Sequence, residues 1–206
     1  MDAEKSGRTP PKGRGRLVAL GTASAILLAL LLYSLGSLGA PATTSSSTTI
    51  TTTSYAVAAA TVLASAGAHA PDGYAQGSQQ RLSPRESGLE SGGYSVFSTQ
   101  EGAIANVTVL VFDSPQSAQA YIDSVIGNAK GLLGYTDVTA ALTSYRQYGV
   151  CYGFGQTDPD GNGAVATGVC TKGNVYIQVH LAATTSLPSV EGDMAGFVGA
   201  AYTGLG

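Results

Sequence analysis

The sequence predicts an α+β fold carried on an N-terminal transmembrane helix and a Ser/Thr-rich stalk. The sheet is antiparallel, a hairpin plus a three-stranded meander, packed by two or three helices. Three observations carry this. Leu17–Ala40 is 24 residues without a charge. Residues 43–54 are Ser or Thr at eleven of twelve positions. From Tyr94 onward, β-rich runs follow one another with few helical patterns between them, which argues for α+β layers.

Composition narrows the function classes. Of 206 residues, 44% are hydrophobic and only 11% charged, with net charge −3, two cysteines and two histidines. A chain this poor in cations lacks the footprint of a nucleic-acid binder. Two cysteines cannot build a Cys₄ zinc site. The charge is unevenly placed. Residues 1–16 hold five basic side chains (Lys5, Arg8, Lys12, Arg14, Arg16) against Asp2 and Glu4, and the rest of the chain holds five basic and eleven acidic ones.

The basic tail 1–16 sets orientation. At about 1.5 Å per residue, 17–40 spans a hydrocarbon core of about 30 Å. Positive flanks stay on the cytoplasmic side, so residues 41–206 are expected outside. A permanent signal anchor is favoured. Cleavage at Ala40-Pro41-Ala42 and a pilin-like leader ending at Gly15 are the alternatives. Membrane lipid around 17–40 is thus the first expected partner.

Residues 41–92 read as stalk and irregular linker. The Ser/Thr run has almost nothing to bury and cannot offset its ordering entropy. Tyr55–Ala66 could form a short helix. Pro71–Gly93 shows little periodicity, and His69 is expected in a flexible stretch. The α+β domain is then 93–206.

Tyr94–Ser98 and Ala103–Phe112 flank Thr99-Gln100-Glu101-Gly102, a plausible hairpin. The second run is apolar on both faces, as a central strand is. Ser114-Pro115 is an N-cap followed by proline at the first helical position. Ala118, Tyr121, Ile122 and Val125 then give a helical stripe that Gly131 or Gly134 can end. Asp137–Tyr145 allows a further helical turn.

Gln147–Gln156, Ala164–Thr171 and Asn174–Leu181 form the meander. With Asp160-Gly161 at the turn, paired positions sum to 321, so Cys151 and Cys170 fall opposite each other, close enough for a disulfide. A turn at Lys172-Gly173 puts Cys170 opposite Val175. One face then carries Cys151, Gly153, Gly155, Ala164, Ala166, Gly168, Cys170, Val175, Ile177, Val179 and Leu181, and its small residues leave room for a helix. The other face carries Val150, Tyr152, Phe154, Thr167, Val169, Tyr176, Gln178 and His180. Val190, Met194, Phe197, Val198 and Ala201 line one face of a last helix.

No constellation for catalysis stands out. Cys151 and Cys170 lack CxxC spacing, so a structural disulfide outside the cell is expected. His180 has no evident ligand partner, and pairing it with Met194 around a haem is only a formal option. Asp158-Pro159-Asp160-Gly161-Asn162-Gly163 resembles the start of a calcium loop. Its twelfth position is Val169, where a bidentate glutamate is required. Asn106-Val107-Thr108 is an N-glycosylation sequon. No catalytic residue, metal or cofactor is assigned.

The expected function is a non-enzymatic, membrane-anchored extracytoplasmic domain that binds a protein or ligand, or serves as an accessory subunit of a membrane complex. A protein partner at the cell surface is expected to cover an exposed patch of Tyr152, Phe154, Val169 and Tyr176. The alternatives are a structural or pilus-like subunit and an enzyme whose residues converge only in three dimensions.

Overall fold

The structure, a computed structural model, describes residues 53–83, 86–131 and 134–206. The basic tail, the apolar run and all but the end of the Ser/Thr run lie outside the described residues. Among the described residues no helix is long and apolar enough to cross a membrane.

Seven strands make one antiparallel sheet in the order β1-β2-β3-β7-β6-β5-β4. They are β1 (Ala75–Leu82), β2 (Leu89–Ser98), β3 (Ile104–Phe112), β4 (Thr136–Asp137), β5 (Cys151–Thr157), β6 (Ala164–Lys172) and β7 (Val175–Ala183). The helices are α1 (Ala59–Ala68), α2 (Pro115–Lys130) and α3 (Leu187–Thr203), with a 3-10 helix over Thr139–Tyr145. The α+β class and the antiparallel sheet agree with the sequence reading. The β2–β3 hairpin joins the meander because β3 pairs with β7, so β3 is the interior strand that its two apolar faces predict.

Alternation divides the sheet into two faces. The inner face presents Val107, Val109, Cys170, Ile177, Val179 and Leu181 to α1 and α3. Val190, Met194, Phe197, Val198 and Ala201 of α3 are all buried there, as their helical spacing requires. Small residues set the approach distance. A Cβ built on Gly168 would lie 3.0 Å from Met194 Sδ. Phe197 closes the layer against Phe97 of β2, ring centroids 4.9 Å apart.

The outer face is covered in part by α2. Ser114 caps this helix, its side chain accepting from the Ser117 amide, and Pro115 opens the first turn. Ala118 and Ile122 pack on Leu110, Phe112, Val169 and Tyr176. Burying a side chain the size of Ile122 contributes roughly 1.5–3 kcal/mol.

Three expectations are corrected. The ordered head starts well before Gly93. α1 buries Val62 and Leu63 in the inner core, and β1 occupies a stretch read as irregular. β1 is an edge strand with exposed side chains, so it needs no alternating apolar residues, and its pairing with β2 breaks register between Gln76 and Gln79. His69 is not in a loose segment: it caps α1, its Nδ1 3.0 Å from the Ser65 carbonyl oxygen.

The third correction concerns the β6–β7 turn. Cys170 pairs with Ile177, and Lys172 with Val175, so the turn is Gly173-Asn174. Gly173 takes φ +59°, suited to the first central position of a two-residue hairpin. The slip is two residues, so every side chain keeps its predicted face.

Candidate functional site

The patch expected to meet a partner is inside the molecule. Tyr176, Phe154 and Val169 are buried, and Tyr152 is half-buried beneath Lys130, whose Nζ lies 5.6 Å from its ring centroid. Helix α2 covers Tyr176 and Val169, joined there by Leu82 and Leu89, and Tyr135 stacks edge-on against Phe154, centroids 5.4 Å apart. Tyr121 of α2 stacks edge-on against Tyr176, centroids 4.9 Å apart.

Beyond the cluster under α2 the side chains of the outer face turn polar. Two cross-strand rows run over β2, β3, β7 and β6. One is Tyr94–Thr108–Gln178–Val169, and the next is Val96–Asn106–His180–Thr167. Within a row neighbours stand about 4.8 Å apart, and the rows about 6.8 Å apart. Tyr94, Val96, Asn106, Thr108 and Gln178 are half-buried. Asn106, the sequon residue, therefore sits on an interior strand and not on a loop.

The deep members of this field are fixed by hydrogen bonds. Tyr176 reaches out from under α2 and donates to Gln178 Oε1 at 2.8 Å. Thr167 Oγ1 lies 2.8 Å from His180 Nδ1. His180 is 2% exposed, and its Nε2 has no hydrogen-bond partner. On its other side His180 pairs with Asn106 of β3. Burial pushes the imidazole pKa down to about 4, so the ring is neutral at physiological pH.

Chemically, this is a neutral field of donors and acceptors. The Thr167–His180 pair has the spacing of a hydroxyl and its base. Thr167 is nevertheless sealed at 1% exposure, and no carboxylate holds the imidazole as in a catalytic triad. Among the described residues there is no group of three or more His, Cys, Asp or Glu able to hold a metal ion. Asp158 and Asp160 lie in the β5–β6 turn, where the Gly161 amide donates to the Asp158 carbonyl oxygen. His180 and Met194 are on opposite sides of the sheet, so they cannot share a haem.

The sulfurs of Cys151 and Cys170 are bonded, and the two residues pair directly, as the sum of 321 requires. Beside them, Lys172 is buried among tyrosines. Its Nζ lies 5.4, 5.2 and 5.6 Å from the ring centroids of Tyr55, Tyr148 and Tyr202 and donates to the Gly206 carbonyl oxygen at 2.9 Å. Desolvation lowers its pKa, and the ring faces partly offset that. Next to it, Asn174 clasps the incoming chain, accepting from the Tyr55 amide at 2.6 Å and donating to the Tyr55 carbonyl oxygen at 3.2 Å. The segment following the Ser/Thr run is thus fastened at the disulfide end of the sheet.

No family model matches the chain, and no curated protein sequence matches it. Among solved structures, the extracellular domain of PknH from Mycobacterium tuberculosis aligns with a TM-score of 0.48 at 11% identity, over 71% of this chain and 92% of that one.

Proposed function

We propose that the chain is a single-pass, membrane-anchored protein whose α+β head lies outside the membrane and works as a binding module. Binding takes place on the polar part of the outer sheet face, at the half-buried Tyr94, Asn106, Thr108 and Gln178. The observation that carries this reading is the gathering of polar side chains from three strands on one face, Tyr94 of β2, Asn106 and Thr108 of β3 and Gln178 of β7. The basic tail, the uncharged run 17–40 and the Cys151–Cys170 bond support the location, since disulfides persist in oxidising compartments.

The test is the double substitution Asn106→Ala with Gln178→Ala in the full-length protein. Association with the native envelope fraction should fall while the melting temperature stays within a few degrees of wild type. Unchanged association at unchanged stability would refute the assignment of this face.

A further inference from the structure

We infer that Asn162 is a site of spontaneous covalent modification: in the folded head its side-chain amide is lost as ammonia and a carboxylate takes its place. The only reactants are the Gly163 backbone and water, so the inference stands apart from the binding reading above.

The β5–β6 connection leaves both reacting groups free. It runs Asp158-Pro159-Asp160-Gly161-Asn162-Gly163, and at its base the Asp158 amide donates to the Gly163 carbonyl oxygen at 2.7 Å. Continuing the ladder would have the Gly163 amide return a bond to the Asp158 carbonyl oxygen. That oxygen is taken by the Gly161 amide, at 2.8 Å. Gly161 turns the chain there with φ +69°, and nothing lies within 4 Å of a Cβ built on it. Asn162 is exposed. Among the described residues neither its side chain nor the Gly163 amide makes a hydrogen bond.

The chemistry needs no further partner. The Gly163 amide nitrogen, on giving its proton to hydroxide, attacks Cγ of Asn162 and closes a succinimide ring. The side-chain nitrogen leaves as ammonia. Water then opens the ring at either carbonyl, giving aspartate or an isoaspartyl linkage. Glycine permits the attack, because without a Cβ its nitrogen is unshielded and its backbone is free to turn. The other asparagines lack these conditions. Asn174 is held by bonds to Tyr55 and Phe112. Asn106 lies on the interior strand β3 and precedes the β-branched Val107. Asn128 lies in α2, where the following amide belongs to the helical ladder.

The product adds a negative charge beside Asp158 and Asp160 and leaves the hairpin standing. The pairing of Thr157 with Ala164 and the Cys151–Cys170 bond hold β5 to β6 without help from the tip.

The experiment ages the folded full-length protein in oxygen-18 water at physiological temperature and slightly alkaline pH. Digestion at mildly acidic pH and peptide mapping by mass spectrometry follow, so that only the reaction in the intact protein carries the label. The peptide containing Asn162 should show the mass shift of an amino group exchanged for a labelled hydroxyl, well ahead of those containing Asn106, Asn128 and Asn174. The melting temperature should stay unchanged, and Asn162→Gln should abolish the shift. Label reaching Asn106, Asn128 or Asn174 as fast as Asn162 would overturn the assignment. So would label that enters Asn162 only in urea-unfolded protein, since the folded connection would then be holding the two groups apart.

Discussion

His180 on β7 and Thr167 on β6 face each other across the sheet, imidazole Nδ1 to hydroxyl 2.8 Å, and this bond holds the ring so that Nε2 is left without a partner. The arrangement ties the head's stability to pH. Burial lowers the folded-state pKa from 6.5 to about 4, so between these values the unfolded chain binds a proton that the folded chain does not. Stability therefore falls as pH drops through that window, by about 3 kcal/mol in all. Denaturant titrations from pH 7 to pH 4 should show the loss, and His180→Gln should flatten it. Asp137, whose carboxylate is held below its usual pKa by hydrogen bonds from Thr139, contributes only at lower pH.

The Cys151–Cys170 bond closes a loop of 19-residue separation with its Cα atoms 4.2 Å apart. For such a loop the chain-entropy model gives about 3 kcal/mol. Replacing both cysteines by alanine should lower the melting temperature by roughly 6–12 °C. Non-reducing mass spectrometry of protein from cells should recover one peptide pair containing both residues.

What the sequence made legible was whatever obeys a period or a turn rule. The Ser114-Pro115 start of α2, the α3 face through Val190, Met194 and Phe197, and the pairing of Cys151 with Cys170 each follow from local rules. β1 was hidden because an edge strand such as Ala75–Leu82 has no face to bury. The Tyr152–Tyr176 patch was misjudged because face membership is local information, whereas which helix lands on a face is not. The same limit hid the polar rows of the outer face. Its polar residues are scattered over Tyr94, Asn106, Thr108, Gln178 and His180, and only the β3–β7 pairing gathers them.

Two glycines should respond oppositely to alanine. At Gly168 the new Cβ would crowd Met194 Sδ at 3.0 Å and Leu142 Cδ1 at 3.3 Å, so Gly168→Ala should destabilise by about 1–3 kcal/mol. At Gly127, inside α2, nothing lies within 4 Å of the added atom. Gly127→Ala should stabilise by about 0.5–1 kcal/mol through helix propensity. Urea unfolding of both variants reads the signs directly.

Asn174 is 2% exposed and bonds Tyr55 twice and the Phe112 carbonyl oxygen at 2.8 Å. Asn174→Ala strands these backbone groups and should cost about 2–4 kcal/mol. Limited proteolysis should then cut near Tyr55 sooner than in wild type.

The proposed topology puts residues 41–206 outside the cell. Protease added to intact cells should remove the head and spare a fragment containing the basic tail. A head protected until the membrane is permeabilised would refute that orientation.

The central claim is that the polar outer face is where this protein binds. Hydrogen exchange of the full-length protein, with and without the native envelope fraction, tests it most directly. The account predicts slowed exchange in β2 and β3 from Tyr94 to Thr108 and in β7 from Tyr176 to Ala182, with the edge strand β1 unchanged. Protection confined to α3, to the β5–β6 turn or to β1, with these strands exchanging as in the free protein, would contradict it.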